Sequence, residues 1–249
     1  MIVEATANSP HRFSCEDGND YAVKPRSADQ QFANELLALA LGTLVGIPLF
    51  DAAIVTVTVS FLVTSPAATA LYAPGIHFGS RVPTTHFFNF DNVAPALVQT
   101  HIRNANEFYR LAMFDELIAN VDRANNRRNL VAVELYPDQP KNDFFAIDHG
   151  HTFTGPGWTV SALETHVPMP VYPVLNVVRD FLDSRARLDG DAQHVAGFLA
   201  DFEAAIDAAQ SGLDDRARRA VLHLLTLRAP QLSAWIATPG YAAHLPNLH

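Results

Sequence analysis

Short apolar runs separated by turn residues begin the chain, a pattern that is typical of β-strands. Residues 11–15 and 20–24 form two such runs, and Asp17-Gly18-Asn19 separates them. Glycine beside aspartate and asparagine favours a tight turn. The pattern therefore predicts a β-hairpin over these residues.

The hydrophobic spacing then changes and predicts a helix of about five turns. Ser27 can serve as its N-cap, and Gly46 with Pro48 supply the stop signal. The residues that we expect on one face of this helix are Phe32, Leu36, Leu39 and Thr43. In residues 51–64 valine alternates with threonine or serine, so we predict one long strand or a hairpin there.

Two apolar runs, 36–50 and 52–64, are together long enough to suggest a membrane span. A spanning helix needs about 20 unbroken apolar residues, whereas Gly46, Pro48 and Asp51 interrupt this stretch. We therefore interpret the two runs as a core helix followed by a buried strand.

The rest of the chain predicts one pair of strands within a mainly helical region. Residues 66–95 contain many prolines, glycines and threonines, and we interpret them as an irregular connector. Residues 106–120 have helical spacing, while 129–136 and 143–150 are strand-like runs joined by a turn at Pro137-Asp138. Further helices are predicted over residues 171–186, 190–210 and 213–228.

Together these elements predict an α+β fold with a small antiparallel β lobe that carries one helix and a larger, mainly helical lobe. A chain of 249 residues is within the size range of a single domain with two lobes. We place the small lobe at about 1–65, the connector at 66–95 and the large lobe at 96–249.

Composition narrows the classes of function. The net charge of -9 argues against binding of nucleic acid through general electrostatics. The single cysteine, Cys15, excludes an internal disulfide framework and fits a reducing compartment. The first ten residues lack the basic and apolar regions of a signal peptide, so we expect a soluble, cytoplasmic protein.

Two charged residues of the small lobe lie in apolar surroundings. Lys24 ends an apolar strand, and Glu35 lies on the predicted helix between apolar neighbours. Charged side chains are rarely buried unless they are paired. Taken alone, each of the two is more often a solvated charge, but an ion pair between them would account for both.

The stretch "NVDRANNRRNL", residues 120–130, joins the predicted helix to the predicted strand. Asp122 could accept a proton from a hydroxyl nucleophile, and Arg123 could hold Asp122 or a phosphate. An asparagine further on could offer an oxygen to Mg²⁺, which prefers hard oxygen ligands. The alternative interpretation is a polar surface loop.

Asp148 is a fourth polar candidate, because it directly follows the apolar strand "FFAI" and precedes His149-Gly150. A buried strand that ends on a carboxylate is one way to fix a metal ligand. An aspartate that caps the following turn is the alternative.

These features form an ordered set: a lysine that ends a strand, a glutamate on the next helix, an Asp-Arg loop with trailing asparagines, and Asp-His-Gly after a strand. The set resembles the HipA-like kinases, relatives of the phosphatidylinositol kinases whose loop has the form N-x-D-R-x(n)-N-[L/I]. Here the loop is Asn120, Asp122 and Arg123 followed by Asn129-Leu130. The resemblance covers about residues 3–155 and implies a protein-kinase-like bilobal fold.

The resemblance also implies a role for each polar group. Lys24 would contact the α- and β-phosphates of ATP and pair with Glu35. Asp122, with Arg123 beside it, would be the catalytic base or would position the acceptor hydroxyl. Asp148 and an asparagine would hold Mg²⁺.

The metal-binding asparagine departs from the family pattern. In the best-known members it lies five residues after the catalytic aspartate, and here that position is Arg127. The candidates are Asn126 and Asn129. We favour Asn129, because it directly precedes Leu130, as the ligand does in the family.

The segment "ATANSPH", residues 5–11, would take the place of the phosphate-covering loop, with Asn8 and Ser9 as candidate nucleotide contacts. It contains no glycine, so the contacts would come from backbone N–H groups of other small residues. This departure weakens the case for activity more than the case for the fold.

The sequence thus predicts an ATP- and Mg²⁺-dependent phosphotransferase that acts on a hydroxyl of a protein serine or threonine or of a small soluble acceptor. One alternative is an inert nucleotide-binding pseudokinase that acts as an interaction module. A lipid (inositol) kinase is another. Neither a nucleic-acid partner nor a membrane span is expected.

Overall fold

The computed structural model describes residues 10–25, 29–90, 95–136, 138, 141–172, 179, 181–245 and 247–248. Asn8 and Ser9, the candidate nucleotide contacts, and Ser27, the predicted N-cap, lie outside these residues. Within them the chain forms two antiparallel sheets and a set of helices, most of which pack around one large hydrophobic cluster.

The first sheet has four antiparallel strands, namely β1 (His11–Ser14), β2 (Asp20–Val23), β3 (Ala52–Val57) and β4 (Gly75–Arg81). Their order is β1-β2-β4-β3. Ser14 pairs with Asp20, so the predicted hairpin is confirmed. Its turn contains Gly18 with a φ of +80°, a conformation that glycine adopts without steric cost.

Helix α1 (Asp29–Val45) covers one face of this sheet. Phe32 and Leu36 pack against Phe78 of β4. The helix ends before Gly46, which has a φ of +77°, so the predicted stop is confirmed. Side chains alternate between the two faces of a strand, and Val23 belongs to the other face. Lys24 therefore projects toward α1.

The opposite face of the sheet lies under two short helices, α2 (Val59–Thr64) and α3 (Pro66–Thr69). The prediction of one long strand or hairpin over residues 51–64 is wrong. The Thr58 side chain accepts a hydrogen bond from the Phe61 N–H at 3.2 Å, and this N-cap starts a helix directly after β3.

The interpretation of residues 66–95 as an irregular connector is also wrong. The segment contains α3, β4 and a further strand, β5 (Phe87–Asn89). Because β4 lies between β2 and β3, residues 75–81 complete the first sheet.

The second sheet places strand β5 beside β6 (Leu130–Val133) and β7 (Asp143–Ala146), in the order β5-β6-β7. Leu130 pairs with Ala146, which confirms the predicted pair of strands. The Ala146 N–H also donates to the Pro48 carbonyl at 2.8 Å. The chain after α1 is thereby fixed to the strand that leads to Asp148.

The remaining helices are α4 (Pro95–His101), α5 (Glu107–Leu117), α6 (Val160–Glu164), α7 (Arg185–Gly197), α8 (Phe202–Ala208), α9 (Asp215–Arg228), α10 (Leu232–Ile236) and α11 (Pro239–His244). Helix α5 is central, because residues 111–120 are all buried. None of the helices among the described residues is both long and apolar enough to cross a membrane.

The predicted helix over 213–228 is confirmed as α9, whereas the one over 190–210 is wrong as a single helix. A 3-10 turn at Leu199–Asp201 separates α7 from α8. In the predicted helix 171–186, residues 171–172 and 181–184 are not helical, and most of those between them lie outside the described part of the chain.

Candidate active site

Lys24 directly follows β2, which ends at Val23. Its backbone N–H donates to the Phe78 carbonyl at 3.1 Å, so β4 fixes its position. The ammonium contacts Glu35 Oε1 of α1 and lies 2.6 Å from Asp148 Oδ1. The predicted Lys24–Glu35 ion pair is confirmed, and Asp148 completes a triad.

Glu35 connects the lysine to the segment that carries Asp148. Its side chain is 3% exposed, and Oε2 accepts a hydrogen bond from the His149 N–H at 3.0 Å. Each carboxylate oxygen therefore has its own donor. Helix α1 thus fixes both the lysine and the backbone next to Asp148.

Asp148 differs from Glu35 in its exposure and its backbone. Its side chain is 33% exposed, so part of the carboxylate is open to a ligand. Its φ is +59°, in the left-handed region that few residues other than glycine, asparagine and aspartate adopt. Such backbone outliers are frequent at functional sites.

The electrostatics of the triad follow from burial and from the imbalance of charge. Burial on its own would lower the pKa of Lys24, but Glu35 and Asp148 raise that pKa. Burial raises the pKa of Glu35, although Lys24 opposes this. For Asp148, burial on its own would raise the pKa, but the charge and hydrogen bond of Lys24, together with the charges of Arg123 and His151, lower it. One ammonium faces two carboxylates, so a further cation beside Asp148 would be favoured.

Asp122 is held by the two asparagines that were candidate metal ligands. Asn129 Nδ2 donates to Asp122 Oδ2 at 2.7 Å, and Asn126 Nδ2 donates to the same oxygen at 3.1 Å. The Asn126 side-chain oxygen accepts from the Arg128 N–H at 3.2 Å. Within the described residues, Asn129 has no such partner on its oxygen and is the better placed of the two to bind a metal.

The loop that carries Asp122 and the segment that carries Asp148 are adjacent. The carbonyl of Asn129, at the end of the loop, accepts from the Ile147 N–H at 3.0 Å. Ile147 directly precedes Asp148. A single backbone hydrogen bond therefore joins the two groups.

Arg123 is not where the sequence predicts it. Its side chain is 1% exposed and lies 2.8 Å from Asp115 Oδ2 of α5. It also donates to the backbone carbonyls of Asn129 and Ile147. The prediction that Arg123 holds Asp122 is wrong, because the guanidinium contacts Asp115 and these two carbonyls instead, whereas a contact with phosphate stays a prediction. The guanidinium ties the two segments of the site together.

Three supporting residues, Asp115, His149 and Asn34, were not predicted from the sequence. Asp115 Oδ1 accepts from Asn120 Nδ2 at 2.8 Å, and Asn120 Oδ1 accepts from the Asp122 N–H at 3.3 Å. The role of Asp115 could have been predicted, because an aspartate within the apolar run "AMFDELIA" requires a buried partner.

His149 supports Arg123 from the other side. Arg123 Nη2 donates to His149 Nε2 at 2.7 Å. Burial, and then Arg123, lower the pKa of His149 well below its usual value. The imidazole is therefore neutral and able to accept this hydrogen bond.

The donor set fits a magnesium ion that is shared with a phosphate ligand. Among the described residues there is no group of three or more histidines, cysteines or acidic residues that could hold a metal by itself. Asp148 and Asn129 offer hard oxygens, and Mg²⁺ is commonly held by one or two such groups together with substrate phosphates and water.

Comparison of the sequence with known protein families identifies a family that it matches. The family model described as HipA-like kinase matches residues 3–207. No curated protein matches the sequence.

Comparison of the structure with solved structures finds the same kind of fold. The Helicobacter pylori proinflammatory kinase CtkA aligns with a TM-score of 0.63 and 13% identity over 97% of this chain and 94% of its own. A chain of the Shewanella oneidensis MR-1 toxin–antitoxin complex of HipA, HipB and operator DNA aligns with a TM-score of 0.53 and 12% identity, over 100% of this chain and 67% of its own. At these identities the likeness concerns the fold alone.

Proposed function

The chain belongs to the HipA-like kinase family, and on that premise we propose that it transfers the γ-phosphate of ATP, with Mg²⁺, to a serine or threonine hydroxyl of a protein. Membership makes it a kinase. The nucleotide, the metal, the acceptor and the role of each residue are our proposal.

The observation that carries the proposal is the meeting of Lys24, Glu35 and Asp148 beside the loop of Asp122. Lys24 and Asp148 are 124 positions apart in the sequence, yet their charged atoms lie 2.6 Å apart. The Asn129–Ile147 hydrogen bond joins the loop of Asp122 to the segment of Asp148. A set of polar groups from four segments around one open carboxylate fits phosphoryl transfer.

Lys24, Asp148 and Asn129 bind the nucleotide in this proposal. Lys24 contacts phosphate oxygens while Glu35 holds its ammonium in place. Asp148 and the side-chain oxygen of Asn129 hold Mg²⁺, which neutralises charge on the phosphates when it is bound. Phosphoryl transfer needs mainly positioning and electrostatic stabilisation.

Asp122 positions the acceptor. Both asparagine bonds are made to Oδ2, and among the described residues Oδ1 has no hydrogen-bond donor. Oδ1 is then available to accept the hydrogen of a serine or threonine hydroxyl and to align that oxygen with the γ-phosphate.

A protein is the preferred acceptor class because of charge. With a net charge of -9, the chain gains nothing from an anionic membrane surface. We therefore do not favour an inositol lipid as the acceptor, and the experiment below tests it. The pseudokinase alternative is motivated by the absence of glycine in residues 5–11 and by Arg127 in the position of the usual metal asparagine.

The decisive experiment compares Asp122→Asn with the matched control Asp51→Asn, which removes an equal charge from an 81% exposed side chain. Transfer from γ-labelled ATP is measured with casein and, separately, with phosphatidylinositol vesicles. We expect transfer to casein to fall by roughly 10²–10⁴-fold in Asp122→Asn, the usual range for a residue in proton transfer. Asp51→Asn should match the wild type.

Three other results would change the conclusion. Equal rates for Asp122→Asn and the wild type would remove Asp122 from the reaction. Transfer to the lipid alone would make the chain a lipid kinase. Binding of Mg²⁺·ATP without transfer to either acceptor or to the chain itself would favour the interaction module.

A further inference from the structure

Asn34 of α1 makes four hydrogen bonds to the segment that follows Asp148. Its side chain is buried, and Nδ2 donates to the carbonyls of Gly150, Thr152 and Gly155 at 2.9, 3.1 and 3.3 Å. Its Oδ1 accepts from the indole N–H of Trp158 at 2.8 Å. A buried amide that binds only one nearby segment defines the path of that segment.

The neighbouring contacts bring the same helix and the same segment together. Glu35, the next residue of α1, accepts from the His149 N–H at 3.0 Å. At Gly150, a Cβ atom would lie 2.6 Å from Cγ of Gln31. A larger residue at this position would therefore have to displace the Gln31 side chain of α1, so α1 and residues 149–158 approach closely here.

Residues 149–158 do not form a helix or a strand that could maintain this path. Phe153 and Thr154 have φ values of +54° and +78°, which cost free energy unless surrounding contacts impose them. On the other side, the Phe153 N–H donates to the Ile118 carbonyl at 2.7 Å. The segment is thus held between α1 and the end of α5, close to Asp122.

We propose that Asn34 is a positioning residue that, through residues 150–158, holds Asp148 against the Lys24–Glu35 pair before any nucleotide binds. The importance of this placement for catalysis rests on the proposed function, in which Asp148 binds Mg²⁺. The placement itself does not depend on activity and is tested separately.

The two lysines of the chain provide the test. Lys24 contacts two carboxylates, whereas Lys141 is exposed, and the chain has no other lysine. An acylating reagent modifies an amine that is free and accessible. The ratio of labelling at Lys24 to labelling at Lys141, measured by mass spectrometry on the full chain, therefore reports whether Asp148 is in place.

Asn34→Ala is compared with Asn104→Ala. Asn104 is a matched control, since its amide also binds backbone, here the N–H and carbonyl of Phe144 at 2.8 and 3.0 Å, but away from the triad. We expect Asn34→Ala to raise the labelling ratio by roughly 3–10-fold, the effect of losing one close charge partner. Asn104→Ala should leave the ratio unchanged. Trp158→Phe is a second variant for the case that Asn34→Ala does not fold. It removes only one of the four hydrogen bonds of Asn34, so the labelling ratio should rise less.

A wild-type ratio in both Asn34→Ala and Trp158→Phe, or an equal rise in Asn104→Ala, would overturn the proposal. In the same samples, Asn34→Ala should raise the Mg²⁺ concentration that gives half-maximal transfer by about tenfold, because a metal ligand is weakened. Asn104→Ala should leave this concentration unchanged. Unchanged Mg²⁺ dependence beside a raised labelling ratio would support the placement of Asp148 by Asn34 and would count against Asp148 as the Mg²⁺ ligand of the proposed function. Absence of transfer by the wild type would remove the proposed function and leave the labelling result to decide the role of Asn34.

Discussion

At the scale of single residues, the pair of Asp115 and Arg123 separates a structural role from a catalytic one. The side chains of both are 1% exposed and lie 2.8 Å apart. Removal of one member of a buried pair leaves an uncompensated charge. We therefore expect Arg123→Met to lower the free energy of unfolding by about 3–5 kcal/mol, as measured by urea denaturation.

The Asp115→Asn/Arg123→Met double variant is the control for this prediction. Removal of both charges should recover part of the loss, because no buried charge is then left unpaired. Wild-type stability in Arg123→Met together with a raised KM for ATP would contradict the structural role and would restore the interpretation that Arg123 contacts a phosphate.

The residues of the site were predictable to the extent that their surroundings in the sequence are unusual. Lys24, Glu35 and Asp148 each interrupt an apolar run, and their order along the chain indicated that they act together. Asn34 gives no such signal, since one asparagine on a helix is ordinary. Its four partners lie 116 to 124 positions away, and no local pattern encodes contacts at that distance.

At the scale of elements, Tyr72 fixes the strand that leads to Lys24. It lies between α3 and β4, and its hydroxyl donates to the Val23 carbonyl at 2.7 Å. His11 Nδ1 lies 3.0 Å from the same hydroxyl. The end of β2 is thereby joined to the segment that covers the outer face of the first sheet.

Alkaline pH should weaken this connection. Burial raises the pKa of Tyr72 from its usual value of 10.0 to about 12. A raised pKa in the folded state means stability that is complete below pH 10 and is lost as the pH rises toward 12. Between pH 9 and 11 the wild type should lose about 1 kcal/mol more than Tyr72→Phe, after allowance for solvent screening.

Urea denaturation at several pH values measures this difference. All other ionisable groups are common to the two proteins, so only the contribution of Tyr72 remains after subtraction. Parallel curves for the two proteins would show that the hydroxyl does not support β2.

Helices and strands were predictable where one period dominates and their ends carry recognisable residues. The hairpin of β1 and β2 has Gly18 in its turn, and α1 ends at Gly46. The alternation of valine and threonine in 51–64 does not reveal that the Thr58 side chain caps a helix. Strand β4 was missed because its sequence, "GIHFGSR", contains two glycines. Gly79 is required by close packing, since a Cβ there would lie 2.7 Å from Val55.

At the scale of the whole molecule, α1 packs into the large hydrophobic cluster through Leu37, Leu41 and Val45, and the proposed nucleotide would add contacts beside Lys24, Glu35 and Asp148. A ligand that binds only the folded state stabilises it, by about 2.7 kcal/mol at 100 times its dissociation constant. For a chain of this size that corresponds to a rise in Tm of roughly 5–10 °C. We expect this rise with Mg²⁺ and ATP together and a smaller one with ATP alone.

Asp148→Asn should remove the part of this rise that depends on Mg²⁺. Asp191→Asn is the control, because Asp191 also forms an ion pair, with Arg110 at 3.2 Å, and takes no part in the site. Differential scanning fluorimetry of the three proteins is sufficient. A full Mg²⁺-dependent rise in Asp148→Asn would exclude this carboxylate as a metal ligand.

The architecture of the large lobe was predictable in outline only. The helical periods gave α5 and α9, but the pairing of Glu116 with Arg228 between these helices, at 2.9 Å, was not foreseen. Glu116 also accepts from the Val171 N–H at 2.7 Å. A single glutamate thus joins three segments that are distant in the sequence. No local pattern in the sequence indicates which arginine forms an ion pair with it.

The left-handed backbone at position 148 also limits how that position can be studied. Alanine would remove the carboxylate and at the same time add a torsional penalty of about 1–2 kcal/mol, so the two effects would be confounded. Asparagine keeps the bend and changes only the charge. Relatives of this chain that have lost phosphoryl transfer should therefore still carry aspartate, asparagine or glycine at position 148. The left-handed backbone conformation favours these residues whether or not the reaction takes place.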